Sequence, residues 1–339
     1  MTRAGQAFVL PCLTVLPGCS GRQNALGGQG AEGANFILLF AIFLAVCAVM
    51  YLLVLAGLAL SLRRRRNAEH INSVDEGRHE RTSSRTRSAL IVWVALVVAG
   101  LTALTVASFF TDRSNASATR RSGLALTVTG NQWWWNVQYD TSDPSKSVRT
   151  ANEIHLPVNV PVHLTLKSND VIHSFWVPNL AGKQDLIPGR VTDIALRPTR
   201  TGVFRGQCAE FCGVQHAHMA LDVVVEPLAD FQRWYARQLA VAPTPATPLQ
   251  LAGYRYVVSR ECSSCHNIAG TPAGGQIAPD LTHVASRRSL AAGTLPLNRG
   301  NLYGWIADPQ SQKPGNRMPT IGMEPNEIHA IVAYLETLK

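Results

Sequence analysis

Two long apolar runs dominate the first third of the chain. Asn35–Leu62 is predominantly apolar over about 25 residues, enough for a helix to cross a hydrocarbon core of about 30 Å. Ala89–Phe110 repeats the pattern, with Trp93 near its start. Between them the chain is polar, and eight arginines fall from Arg63 to Arg87, four of them consecutive at Arg63–Arg66. Basic residues collect on the cytoplasmic side of membrane helices. The two runs therefore predict a transmembrane hairpin over residues 35–110 with a cytoplasmic loop, and everything after Thr111 lies outside the cytoplasm. A buried helix of a soluble domain competes for either run alone, but it gives no reason for the arginine block between them.

Beyond Leu124 the period shortens. Leu124–Thr129, Trp133–Tyr139, Glu153–Leu156, Pro161–Lys167, Val171–Val177, Val191–Leu196, Val203–Gln207 and Leu221–Val225 read as short strands, broken by Pro, Gly and Asn-Asp. Many short strands at this spacing predict an all-β sandwich over residues 121–240. Asp230–Ala240 closes it as a short amphipathic helix. Residues 241–250, Val-Ala-Pro-Thr-Pro-Ala-Thr-Pro and the two after it, form a Pro-rich linker. The last unit, 251–339, opens on a helical Ala252–Ser259 and ends on Pro325–Leu338, whose apolar positions recur at helical spacing. No internal repeat is visible.

Composition agrees with a membrane protein: of 339 residues, 46% are hydrophobic and 16% charged. The formal charge of +9 raises nucleic acid as a partner, but the basic residues sit between apolar runs, which excludes it. Residues 1–19 read as a signal peptide, with Arg3, an apolar Ala7–Leu16 and then small residues. Leu16-Pro-Gly-Cys19 resembles a bacterial lipobox, whose cysteine would carry lipid. The Gly/Gln-rich residues 20–33 are expected to be a flexible spacer.

Of the seven cysteines, Cys12 and Cys19 lie in the leader and Cys47 in the first apolar run. The other four carry chemistry. Cys208-Ala-Glu-Phe-Cys-Gly-Val-Gln-His-Ala-His-Met219 offers two thiols, two imidazoles, a thioether and a carboxylate in twelve residues. Thiolate and thioether are soft ligands that select copper, with imidazole as nitrogen partner. Zinc fits less well, since Met is a poor zinc ligand and the Cys-x-x-Cys of zinc knuckles is absent. Further ligands must come from elsewhere, and His173 ends a strand-like run 35 residues before Cys208. His155, His163 and His218 read as surface or satisfied core residues. Cys262-Ser-Ser-Cys265-His266 is the attachment signature of c-type haem: two thiols add to the vinyl groups and the imidazole faces the iron. The sixth ligand should be a downstream thioether, which raises the reduction potential. Met318 and Met323 are the candidates, and Met318 is favoured because Pro319 stiffens the turn presenting it. The Pro279 carbonyl is a candidate acceptor for the other ring N–H of His266.

Cys-x-Glu-x-Cys-x-x-x-His-x-x-Met with a histidine 35 residues upstream resembles subunit II of haem-copper cytochrome c oxidases. Gln132-Trp-Trp-Trp135, His173-Ser-Phe-Trp-Val-Pro178 and Asp185-Leu-Ile-Pro-Gly-Arg190 extend the likeness. Ala278–His283, Trp305–Gln310 and Lys313–Pro319 resemble the caa3-type branch, which appends a cytochrome c domain. The resemblance covers about residue 35 to the C-terminus. It implies a two-helix hairpin, a cupredoxin sandwich and an all-α class I cytochrome c domain, in a bacterial inner-membrane protein with both soluble domains outside. It further implies a binuclear copper A centre bridged by Cys208 and Cys212. His173 and His216 would be the nitrogen ligands, with Met219 and the Glu210 carbonyl as weak axial ligands. The Glu210 side chain would reach a magnesium ion shared with subunit I. Trp133 would be the surface point where electrons enter, and haem c would be held by Cys262, Cys265, His266 and Met318. Implied partners are subunit I, subunit III, and an upstream donor, either cytochrome c or a quinol–cytochrome c reductase. In the family a glutamate commonly precedes the second helix's tryptophan, near a proton path. Here Ser88-Ala-Leu-Ile precedes Trp93, so no proton-path residue is assigned.

Two other functions compete. A copper-storing or copper-delivering module explains the loop but needs no haem. A copper A domain of another reductase, such as nitrous oxide reductase, is disfavoured by the N-terminal hairpin and by the absence of a propeller-sized domain.

Overall fold

The computed structural model describes residues 21–68, 76–119 and 123–339. The expected leader, with Cys12 and Cys19, lies outside the described residues.

Both apolar runs are helices, α1 (Ala31–Ala68) and α2 (Glu76–Thr119), longer than the apolar segments they contain. Within them Ala31–Arg64 and Thr86–Arg113 are long and apolar enough to cross a membrane. Their apolar side chains point outward, as a helix facing lipid requires. The hydroxyls of Thr102 and Thr105 donate to the carbonyls of Val98 and Leu101, so these polar groups carry their own partners into the apolar span.

The Gly/Gln-rich stretch before α1 is no free spacer. Residues 22–33 lie along the sandwich: Gln29 N donates to Asn179 O, Ala31 N to Arg197 O and Gly33 N to Leu180 O. Glu32, in the first turn of α1, accepts the Arg197 N–H at 2.9 Å. Glycine and glutamine read as flexible in isolation, but here the segment's backbone groups find partners on a neighbouring loop.

Ten strands follow: β1 (Leu124–Asn131), β2 (Trp134–Asp140), β3 (Val148–Ala151), β4 (Glu153–Pro157), β5 (Val162–Ser168), β6 (His173–Trp176), β7 (Lys183–Leu186), β8 (Thr192–Leu196), β9 (Gly202–Cys208) and β10 (Ala220–Glu226). They form two five-stranded sheets, ordered β3-β2-β1-β5-β8 and β4-β10-β9-β6-β7. Alternation decides which side chains face inward: Leu126 and Val128 on β1, Trp135, Val137 and Tyr139 on β2, and Val162, Leu164 and Leu166 on β5 are all buried. Helix α3 (Leu228–Gln238) covers one end, with Phe231 and Trp234 buried against Tyr139. His155 is a satisfied core residue there, stacked on Trp234 and hydrogen-bonded to Glu153 and Glu226.

The C-terminal unit is helical: α4 (Pro248–Ser259), α5 (Cys262–Cys265), α6 (Arg299–Ala307), α7 (Pro309–Gln312) and α8 (Pro325–Leu335), with a short ribbon of β11 (Ser289–Leu290) and β12 (Leu295–Pro296). Thr247 and Gln250 form a capping box that starts α4, with Pro248 in its first turn. Helices α4 and α8 cross at Gly253, where a Cβ would sit 1.9 Å from the Ala330 carbonyl oxygen. Only glycine allows that approach.

This unit docks on the sandwich. Ala220 N donates to Ala292 O at 2.9 Å, Arg288 N to Glu153 Oε2 at 2.9 Å, and Gln215 Nε2 to Pro314 O at 2.8 Å. The two soluble units thus share a hydrogen-bonded seam.

Candidate metal centres

Strand register assembles the first cluster. Strand β6 pairs with β9 so that Phe175 lies opposite Cys208, which brings the start of one strand beside the end of the other. His173 and Cys208 are both buried there. Gly130 on β1 makes room for the imidazole: a Cβ would meet His173 Cδ2 at 2.8 Å. The loop after β9 then folds back to deliver Cys212, His216 and Met219. Cys208 Sγ lies 3.7 Å from Cys212 Sγ and 3.8 Å from His173 Nδ1. Cys212 Sγ is 3.7 Å from His216 Nδ1 and 3.9 Å from Met219 Sδ. The Glu210 carbonyl oxygen is 3.2 Å from Cys208 Sγ, while the Glu210 side chain is exposed. All six residues singled out in this region therefore converge.

These spacings suit soft first-row metals. Bonds of about 2.0–2.3 Å put two donors on one ion roughly 3.3–4 Å apart. The chemistry of the two thiols agrees. Cys208 is drawn down to about 3 by its hydrogen bond from Cys212, with help from His173, while Cys212 is pushed far up by the adjacent sulfur and by burial. Two like charges this close do not ionise together without a cation between them. A soft metal cation would meet that need, and the donor set fits copper.

Asp170 fixes the histidine. Its Oδ1 accepts His173 Nε2–H at 2.8 Å, which leaves Nδ1 facing the sulfurs. Its Oδ2 accepts Gln132 N at 2.7 Å and Arg317 Nη2 at 3.3 Å. Burial pushes the Asp170 carboxyl up, but the His173, Gln132 and Val171 hydrogen bonds outweigh it and the net shift is downward. His173 is likewise lowered by burial and raised more by Cys208 and Asp170.

Trp133 is not a surface residue. It is 9% exposed, donates from Nε1 to Cys212 O at 2.9 Å, and lies beneath residues 313–315 of the C-terminal unit. The expected surface point for electrons is covered because the second soluble unit docks over it. Lys313 is the cover's anchor: it is 2% exposed, and its Nζ donates to Trp133 O, His218 O and Ala291 O at 2.9, 2.8 and 2.9 Å.

The second centre is built by loops. One-turn helix α5 carries Cys262 and Cys265, and His266 ends it, its N–H donating to Cys262 O. His266 Nδ1 donates to Pro279 O at 2.6 Å, so Nε2 carries the lone pair. Burial lowers the His266 pKa, which keeps the ring neutral as an iron ligand requires. Met318 is held at both ends of its backbone: Met318 N donates to Asn316 Oδ1 at 2.8 Å and Met318 O accepts from Gln310 Nε2 at 2.7 Å. Met323 instead packs against the apolar core. Cys262, Cys265 and a neutral His266 form a donor set that fits haem.

Sequence reasoning missed Asp170 and Lys313. Asp170 stands three residues before His173 in an Asn-Asp turn, a position from which a carboxylate can reach back to the ring. Nothing in the sequence marks Lys313 as buried.

A family model described as cytochrome c oxidase subunit II, periplasmic domain, matches residues 142–227, and one described as cytochrome c matches residues 251–339. The chain is 30% identical over 340 residues to cytochrome c oxidase subunit 2 of Alkalihalophilus pseudofirmus, a match covering 99% of this chain and 97% of that protein. The chain belongs to the cytochrome c oxidase subunit 2 family. Subunit 2 of Bacillus sp. strain PS3 is 31% identical over 268 residues, covering 74% of each chain. A crystal structure of the periplasmic domain of subunit II from Bradyrhizobium japonicum is 30% identical and covers 34% of this chain and 92% of that one, with a TM-score of 0.32. The subunit II periplasmic domain and the cytochrome c domain are the two units that meet along the seam. As a subunit 2, the chain is one part of a larger oxidase, held in the membrane with its soluble domains outside the cytoplasm.

Proposed function

We propose that this chain is the electron-receiving subunit of an oxygen-reducing, proton-pumping oxidase, with the fused cytochrome domain as the donor side and the copper loop as the acceptor side. Cys262, Cys265, His266 and Met318 would hold a covalent haem c. Cys208, Cys212, His173, His216 and Met219, with the Glu210 carbonyl, would hold a binuclear copper A. When bound, the two groups supply the one-electron chemistry, and oxygen reduction belongs to subunit I.

The chain's own residues set the geometry. Strands β6 and β9 hold Cys208 and His173 in register whether or not the loop is loaded. Asp170 aims one imidazole and Pro279 the other. Residues 313–315 exclude water from Trp133. The single observation that carries the reading is the convergence of soft donors at 3.7–3.9 Å directly beneath a docked cytochrome domain. A copper-delivery module needs its loop open to a partner on this side, and here the loop is roofed. Another part of the loop stays open: Phe211 is 75% exposed and Glu210 is exposed beside it. That face suits subunit I, with the Glu210 carboxylate reaching a shared magnesium ion. Subunit III and an upstream cytochrome c or quinol–cytochrome c reductase complete the proposed partners, and a lipidated Cys19, left as the mature N-terminus after cleavage, would be a further anchor.

Cys212→Ser is the test. It should abolish the purple and near-infrared copper absorption of the purified oxidase and leave the haem c spectrum intact. Unchanged absorption and copper content would overturn the ligand assignment.

A further inference from the structure

Lys313 is a charged group buried where the two units meet. The three N–H donors of an ammonium are satisfied by three backbone carbonyls and nothing else. Those carbonyls come from three separate pieces of chain. Trp133 lies in the turn between β1 and β2, His218 lies on the copper loop between His216 and Met219, and Ala291 belongs to the cytochrome domain. Ala291 and Ala292 have φ of 52° and 58°, a left-handed conformation that L-residues disfavour. That turn aims Ala291 O at Lys313 and Ala292 O at the Ala220 N–H. No carboxylate bonds the ammonium among the described residues. Burial draws its pKa down to about 7, and the Cys212 sulfur opposes that shift. For stability alone, an apolar side chain of the same length is cheaper to bury than an ion.

We propose that Lys313 is a positioning residue of the relay: its ammonium pins the cytochrome domain to the copper loop and, while protonated, sets a positive charge on the side of the loop that carries His218. The charge favours the electron-rich state of whatever that pair binds, because a cation stabilises the state with one more electron. Electron transfer onto the loop is thereby biased in the forward direction. This rests on the copper reading of the loop.

The test uses the full chain loaded with copper and haem. Lys313→Met keeps the length and loses the charge and donors, and Lys313→Gln keeps two N–H donors without charge. Gln215→Ala, a control, removes one uncharged bond across the seam. Amide exchange at Ala220 and Arg288, whose N–H groups donate across the seam, reports docking. It should quicken roughly tenfold or more in both Lys313 variants and less in the control. Potentiometric titration of the copper band should show a lower midpoint in both Lys313 variants, a smaller shift in the haem, and an unmoved copper midpoint in Gln215→Ala. An unmoved or raised copper midpoint in a Lys313 variant with intact spectra overturns the proposal, as does unchanged protection at Ala220. If the wild-type chain takes up no copper, the copper reading fails instead, and the exchange arm still decides whether Lys313 pins the seam.

Discussion

The two centres are built in opposite ways. In the sandwich, His173 and Cys208 sit on neighbouring strands whose register is fixed by a whole sheet, and the other donors follow on one short loop. In the cytochrome domain, the thiols ride a single helical turn and Met318 hangs on a loop held by Asn316, Gln310 and Asp308. Strand register fixes Cys208 and His173, whereas the helical unit carries its donors on one helical turn and a loop. The first centre should tolerate damage to the second, because its strand-borne donors are held by sheet pairing that the helical unit does not supply.

The largest blow to that contrast comes from Gly253→Val. With the Ala330 carbonyl already 1.9 Å from a notional Cβ, α4 and α8 cannot keep their crossing, and the cytochrome domain should lose more than about 3 kcal/mol. Haem incorporation should fail while the copper absorption persists. Loss of both signals would mean that the two units fold as one, and the contrast would go with it.

A smaller effect is expected from Asp170→Asn, which leaves the strands intact but no longer fixes the His173 ring as an anionic acceptor. Copper affinity should drop about 10–100-fold with the haem spectrum unchanged, read by chelator competition. Unaltered affinity would show that strand register alone orients the ligand.

The gentlest probe is pH. Asp308 Oδ1 accepts Thr320 Oγ1–H, two residues past Met318, and the N–H groups of Gln310 and Ser311. The Thr320 hydrogen bond, followed by the Ser311 N–H, lowers its pKa from the ordinary 3.8. A lowered carboxylate contributes its stability above the unfolded value and loses it as pH falls through the folded one. The weak thioether-to-iron band should therefore hold down to pH 3.8 and fade only below it, whereas Asp308→Asn should weaken it already at neutral pH. A band unaffected by the substitution would leave the Met318 loop without this tether.

Much of this was legible in the sequence because the chemistry is dense and local. Twelve residues carry most of the soft donors and five carry the Cys-x-x-Cys-His signature, so their spacing alone points to the chemistry. The hairpin was legible from charge and hydropathy, and the long strands from alternation. Strands β3 and β7 were not, since Lys183–Leu186 is short, polar and at a sheet edge, where pairing rather than pattern makes the strand. Helix α6 was hidden by its glycines. Long-range facts left no local trace: that Trp133 is roofed, that Lys313 is buried, and that a Gly/Gln tract lies along a folded surface all depend on pieces far apart in the chain.

That tract has a mechanical meaning. A globular unit joined to a membrane helix at one point can swivel above the bilayer. Here the sandwich follows α2 directly and is also gripped by residues 22–33, which run straight into α1. Fastened at two points, it rides as a turret, and its Cys208–Met219 loop is held facing one way.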